Sequence, residues 1–82
     1  MNLKTVVEKI QITNRLGLHA RAAAKFVKTT AKFNSKVTVS KNGITVNGSS
    51  ILGLMTLAAS KGSEIIVRCM GDDAYKDMED IL

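Results

Sequence analysis

The chain has 82 residues, of which 45% are hydrophobic and 23% charged, with a formal net charge of +5. That length is expected to form one small domain over residues 1–82, near the lower size at which a single core folds unaided. Its longest apolar stretch falls far short of the ~20 residues of a membrane span, and Met1-Asn2-Leu3-Lys4-Thr5 has no apolar signal core, so a soluble, cytoplasmic protein is expected.

Residues 6–12 place Val6, Glu8, Ile10 and Ile12 in alternation with Lys9 and Gln11 between, which predicts a first strand. A loop over residues 13–18 follows. Over residues 20–33, Ala23, Phe26, Val27 and Thr30 recur at helical spacing and predict an amphipathic helix, with Arg21, Lys25, Lys28 and Lys32 along one basic face. His19, the only histidine, stands at its start. Residues 36–40 alternate cleanly, Asn42-Gly43 tolerates the positive φ of a tight turn, and residues 44–46 resume the alternation, which makes a hairpin.

Ser49 or Ser50 can cap a second helix, expected to run to about Ser60 and to end at Gly62. This helix has more apolar residues than one buried stripe requires. Leu54, Leu57 and Ala58 form one face, Ile51, Leu52 and Met55 another. Residues 64–70 predict a fourth strand with Ile65, Val67 and Cys69 on one side. Gly71-Asp72-Asp73 offers a turn and a cap for a last helix carrying Ala74, Met78 and Ile81. The order β-α-β-β-α-β-α is that of an α+β domain with helices on one face of an antiparallel sheet. The single cysteine, Cys69, has no internal disulfide partner, suits a reducing compartment and reads as a small buried hydrophobe.

The chemistry concentrates in Gly17-Leu18-His19-Ala20-Arg21. A helix start presents free backbone N–H groups and the positive end of the helix dipole, both of which favour an anion, and Arg21 adds a guanidinium within the first turn. This combination suits phosphate. An imidazole there is a candidate nucleophile, since the neutral ring has a lone pair to attack phosphorus and the surrounding donors can stabilise the phosphoryl oxygens. A metal site is disfavoured because one His and one Cys far apart give no ligand cluster, and a serine-hydrolase triad lacks an acid to orient the ring. No cofactor is implied.

Gly17-Leu18-His19-Ala20-Arg21, followed by small residues, resembles the active-site signature of the HPr family, the histidine phosphocarriers of the bacterial phosphotransferase system. Asn47-Gly48-Ser49-Ser50-Ile51-Leu52-Gly53-Leu54-Met55 is similar to the family's second motif, and Ala59-Ser60-Lys61-Gly62-Ser63-Glu64-Ile65 to the turn entering its last strand. Ala22 stands where many sugar-branch members carry proline, and the all-alanine version is similar to the nitrogen-branch relatives, NPr.

The resemblance implies an open-faced β-sandwich, a four-stranded antiparallel sheet covered on one face by three helices. It implies transfer from phospho-Enzyme I to the Nδ1 nitrogen of His19, then to a histidine of an Enzyme IIA domain, with phosphoenolpyruvate as ultimate donor. Such a protein is a phosphoryl carrier rather than a stand-alone enzyme, serving sugar uptake or nitrogen-branch regulation. Ser50 aligns with the family's regulatory serine, phosphorylated in some lineages by an HPr kinase/phosphorylase. Helix capping is its other role, and the two are compatible. Ile51, Leu52 and Met55 are similar to the exposed patch with which the family meets its partners. Basic residues such as Lys25 and Lys28 would steer an acidic partner there, whereas a buried core is the plain alternative.

A different class of function is a nucleic-acid-binding module using Arg21, Lys25, Lys28 and Lys32 on phosphates. Aromatics make up only 4% of the chain, none lies in the basic stripe to stack on bases, and this reading leaves His19 without a role. No nucleic-acid partner is therefore expected, and a monomer without membrane insertion is expected as well.

Overall fold

Residues 4–82 are described by the computed structural model. The elements are β1 (Thr5–Gln11), α1 (Ala20–Thr30), β2 (Lys36–Lys41), β3 (Ile44–Asn47), α2 (Ile51–Thr56), β4 (Glu64–Met70) and α3 (Ala74–Ile81). The sheet order is β1-β4-β2-β3, and every neighbouring pair is antiparallel. β4 thus lies between β1 and β2, with Cys69 opposite Val6 on one side and Val37 on the other.

That central place explains the strict alternation of β4, whose Ile65, Val67 and Cys69 are only 3%, 0% and 0% exposed. Ala23 of α1, Leu54 of α2, and Ala74 and Met78 of α3 are buried in the same core, together with Leu57 at the end of α2. Each fully buried Val or Leu contributes about 1.5–3 kcal/mol, so the three helices are held on mainly by this one face. The opposite face stays open, with Val7, Lys9, Ile66 and Arg68 exposed. Asn42 and Gly43 have φ of 52° and 83°, the two positive values that a tight two-residue hairpin turn demands.

Two helix ends differ from the sequence-based expectation, each for a tertiary reason. α1 ends at Thr30 rather than residue 33, because the buried Thr30 hydroxyl donates to the Gly48 carbonyl at 2.9 Å and the next N–H groups close tight turns onto Thr29 and Thr30. Lys32 therefore lies just beyond the helix, and three basic residues of the stripe remain on it. α2 stops at Thr56, well short of Ser60, as Leu57 caps it and Ala58 turns into the left-handed region at φ 48°. Ala58 is accordingly exposed, and Ala59, 2% exposed, takes the core position beside Leu54 and Leu57. Gly62, at φ 90°, serves the turn into β4 instead of the helix end.

At α3, Asp73 occupies the N-cap position but makes no side-chain capping bond. Its Oδ2 accepts from Asn34 Nδ2 at 3.0 Å, while the buried Asp77 accepts from the Ser35 backbone N–H at 3.2 Å. These two contacts tie α3 to the chain entering β2. β1 begins and ends one residue earlier than predicted: at Ile12 the N–H still donates to the facing Ser63 carbonyl at 2.8 Å, but the Ser63 N–H turns back to the Ser60 carbonyl at 2.9 Å and the ladder stops. No helix among the described residues is long and apolar enough to cross a membrane.

Candidate functional site

His19 is itself the N-cap of α1. Its backbone is extended, with φ −82° and ψ −178°, and its carbonyl accepts the first helical bond from the Ala23 N–H at 2.8 Å. The side chain takes the role that Ser or Asp commonly fills: Nδ1 accepts from the Arg21 backbone N–H at 3.2 Å. An accepting Nδ1 carries the lone pair, which puts the proton of the neutral ring on Nε2. That nitrogen therefore faces the donor end of the helix. His19 is partly exposed and Arg21 exposed.

Two contacts set the loop that delivers His19. Gly17 turns the chain at φ 70°, where its N–H donates to the Asn14 carbonyl at 2.9 Å, and the Leu18 N–H donates to the Ala59 carbonyl at 2.7 Å. A β-carbon on Gly17 would overlap that same Ala59 oxygen and lie 2.8 Å from Ser60 Cα. Glycine is required here by both φ and close packing. The loop is thereby pinned to the segment that leaves α2.

Ser50, not Ser49, caps α2, its Oγ accepting from the Gly53 N–H at 2.9 Å. Ser49 instead directs its hydroxyl and its backbone N–H to Asn47 Oδ1. Beyond the cap, Ile51, Leu52 and Met55 are 39%, 76% and 39% exposed, so this second apolar face of α2 lies outside the core. Lys25 and Lys28 are exposed on α1, which packs against α2. Leu16, 71% exposed and three residues before His19, adds an apolar side chain that periodicity cannot single out because it sits in a loop.

His19 and Arg21 line neither of two open clefts of about 300 and 340 Å³, the second of which runs past Leu18, Ala22 and Phe26. Among the described residues no three His, Cys, Asp or Glu side chains gather to hold a metal ion. Cys69 is fully buried, and burial first, then the Asp77 charge, pushes its thiol above the ordinary value of 9.0, which keeps it protonated and unreactive.

The family model PTS-HPr, described as the PTS HPr component phosphorylation site, matches residues 6–82. The chain belongs to the HPr family. The phosphocarrier protein HPr of Xylella fastidiosa strain Temecula1 is 51% identical over 71 residues, spanning 87% of this chain and 80% of its own length. An HPr of Bacillus anthracis has the same fold, with a TM-score of 0.89 at 38% identity over 94% of this chain and 92% of that one. The HPr-like Crh of Bacillus subtilis, described as a dimer with a swapping domain, gives a TM-score of 0.75 at 39% identity over 90% and 85% of the two chains. The four-stranded antiparallel sheet and three helices in the order β-α-β-β-α-β-α are thus those of HPr phosphocarriers.

Proposed function

We propose that His19 accepts a phosphoryl group on Nδ1 from phospho-Enzyme I and passes it to a histidine of an Enzyme IIA domain, in the phosphoenolpyruvate-dependent phosphotransferase system. The observation that carries this reading is the Nδ1 lone pair held at the start of α1, 3.2 Å from the Arg21 N–H. As Nδ1 attacks in line, its nitrogen–phosphorus bond forms and the donor's nitrogen–phosphorus bond breaks, returning the electron pair to the donor ring. The Arg21 N–H released by Nδ1 is then free for a phosphoryl oxygen. The helix dipole and the Arg21 guanidinium stabilise the same charge, so the protein's contribution is placement and electrostatics. Onward transfer repeats the step with His19 as donor.

Ile51, Leu52 and Met55 supply the apolar area for docking, and Lys25 and Lys28 speed encounter with an acidic partner. Phosphorylation of Ser50 by an HPr kinase/phosphorylase would place its charge at the N-terminus of α2, where the fold accepts it but an acidic partner is repelled. The protein acts as a cytoplasmic monomer and a carrier rather than as an enzyme on its own.

Ala22, in the first turn after His19, leaves two branches of the system to be told apart. Transfer rates from the sugar-branch and the nitrogen-branch Enzyme I, each supplied with phosphoenolpyruvate, decide between them. The cognate donor labels the protein much faster, and His19→Ala takes no label from either. Failure of both donors contradicts the proposal.

A further inference from the structure

The C-terminal end of α2 carries no basic residue of its own, yet the carbonyls of its cap and of the turn just beyond meet an ammonium group. Lys41 Nζ donates to the Leu57 carbonyl at 3.3 Å and to the Ala58 carbonyl at 3.4 Å. Lys41 closes β2, is partly buried, and is fixed by its pairing with Ile44 across the hairpin. A cation on free terminal carbonyls offsets the negative end of the helix dipole.

Those carbonyls belong to the turn that holds the His19 loop. Ala58 adopts φ 48°, a conformation disfavoured for alanine, and the next residue, Ala59, offers its carbonyl to the Leu18 N–H at 2.7 Å. Leu18 immediately precedes the N-cap His19. An unfavourable turn needs contacts from outside to keep it, and Lys41 provides two of them.

We propose that Lys41 is a positioning residue for His19: it locks the Leu57–Ala58 turn so that Ala59 can anchor Leu18 and set the imidazole against the start of α1. The inference rests on the reading that His19 carries the phosphoryl group. Lys41 hydrogen-bonds backbone carbonyls at the end of α2, and it acts on the transfer only through the turn. The loss of its hold should therefore slow the chemical step, whereas docking through Ile51, Leu52 and Met55 should persist.

The test compares Lys41→Met, which keeps the aliphatic stem and removes the donors and charge, with Lys41→Arg, which keeps both. Hydrogen exchange of the Leu18 amide and of core amides such as Val67 is measured, along with kcat and KM for phosphoryl acceptance from phospho-Enzyme I. In Lys41→Met, Leu18 is expected to exchange about two- to fivefold faster, with kcat reduced by a similar factor, KM unchanged and Val67 unaffected. Lys41→Arg restores the wild-type values. Unchanged Leu18 exchange, equal acceleration of Leu18 and Val67, or a change confined to KM would overturn the proposal. If the wild-type chain accepts no phosphoryl group, the functional reading fails, and Leu18 exchange still judges the clamp.

Discussion

The Leu18 N–H donates to the Ala59 carbonyl across 2.7 Å, joining the loop that carries His19 to the end of the helix that carries Ile51, Leu52 and Met55. Through this bond the His19 loop and the exposed apolar face of α2 belong to one framework. A partner gripping α2 would find His19 at a fixed offset, and such fixed geometry is what an in-line transfer between two proteins demands.

Gly17→Ala tests the close approach behind that bond. The added β-carbon meets the Ala59 oxygen and must also hold φ near 70°, so a loss of about 1–3 kcal/mol in denaturant unfolding is expected. Phosphoryl acceptance should fall further than this stability loss explains, measured at a temperature where the variant stays folded. A variant with wild-type stability and rate would show that the packing around Gly17 is slack.

Leu52 is 76% exposed, and its truncation separates docking from folding. Leu52→Ala should change the unfolding free energy by less than about 0.5 kcal/mol, as surface substitutions do. Affinity for phospho-Enzyme I, measured by titration calorimetry or as KM, should weaken by roughly tenfold, the effect of about 1.4 kcal/mol. A large fall in stability with unchanged KM would assign Leu52 to the core.

Much of this arrangement is legible along the chain, and the parts that are not share a cause. The alternation of Ile65, Val67 and Cys69 and the Asn42-Gly43 turn depend on neighbours only a few residues away and read directly from residue type, as does a serine cap on α2, with Ser49 and Ser50 both open to the role. The surplus of apolar residues on α2 likewise puts Leu54 and Leu52 on different faces, while the choice of Leu52 as the exposed one comes from the family resemblance. The early end of α2 is different, because alanine favours continuing a helix, whereas Ala58 lies in the left-handed region with its carbonyl met by the distant Lys41 and the next carbonyl, of Ala59, by Leu18. The same applies to α1, stopped where Thr30 reaches Gly48, and to Asp73, drawn from its capping role by Asn34. In the site, the residue types of His19 and Arg21 carry the expectation of phosphate chemistry, but the Nδ1 contact with the Arg21 N–H and the Lys41 bonds to the Leu57 and Ala58 carbonyls emerge only from folding.

Cys69 makes the pH dependence of stability specific. Its thiol is raised in the fold above 9.0, so above about that pH the unfolded chain releases a proton that the folded chain retains. Unfolding then becomes easier as pH rises, and the contribution disappears at neutral pH, where both states keep the proton. Wild type should therefore lose stability relative to Cys69→Ala as the pH rises past 9.0 in chemical denaturation. A difference that stays constant over this range would mean that the buried thiol titrates as it does in the open chain.

The central claim is that His19 is the phosphoryl acceptor through Nδ1, and the most direct measurement is of the phosphorylated ring itself. The ¹⁵N-labelled protein, incubated with phosphoenolpyruvate and its cognate Enzyme I, should gain one acid-labile phosphoryl group by intact mass. Phosphorus coupling in the imidazole spectrum should fall on Nδ1, and the Arg21 amide should shift as it exchanges the ring for a phosphoryl oxygen. Coupling to Nε2, or a phosphoryl group that persists in His19→Ala, would contradict the account.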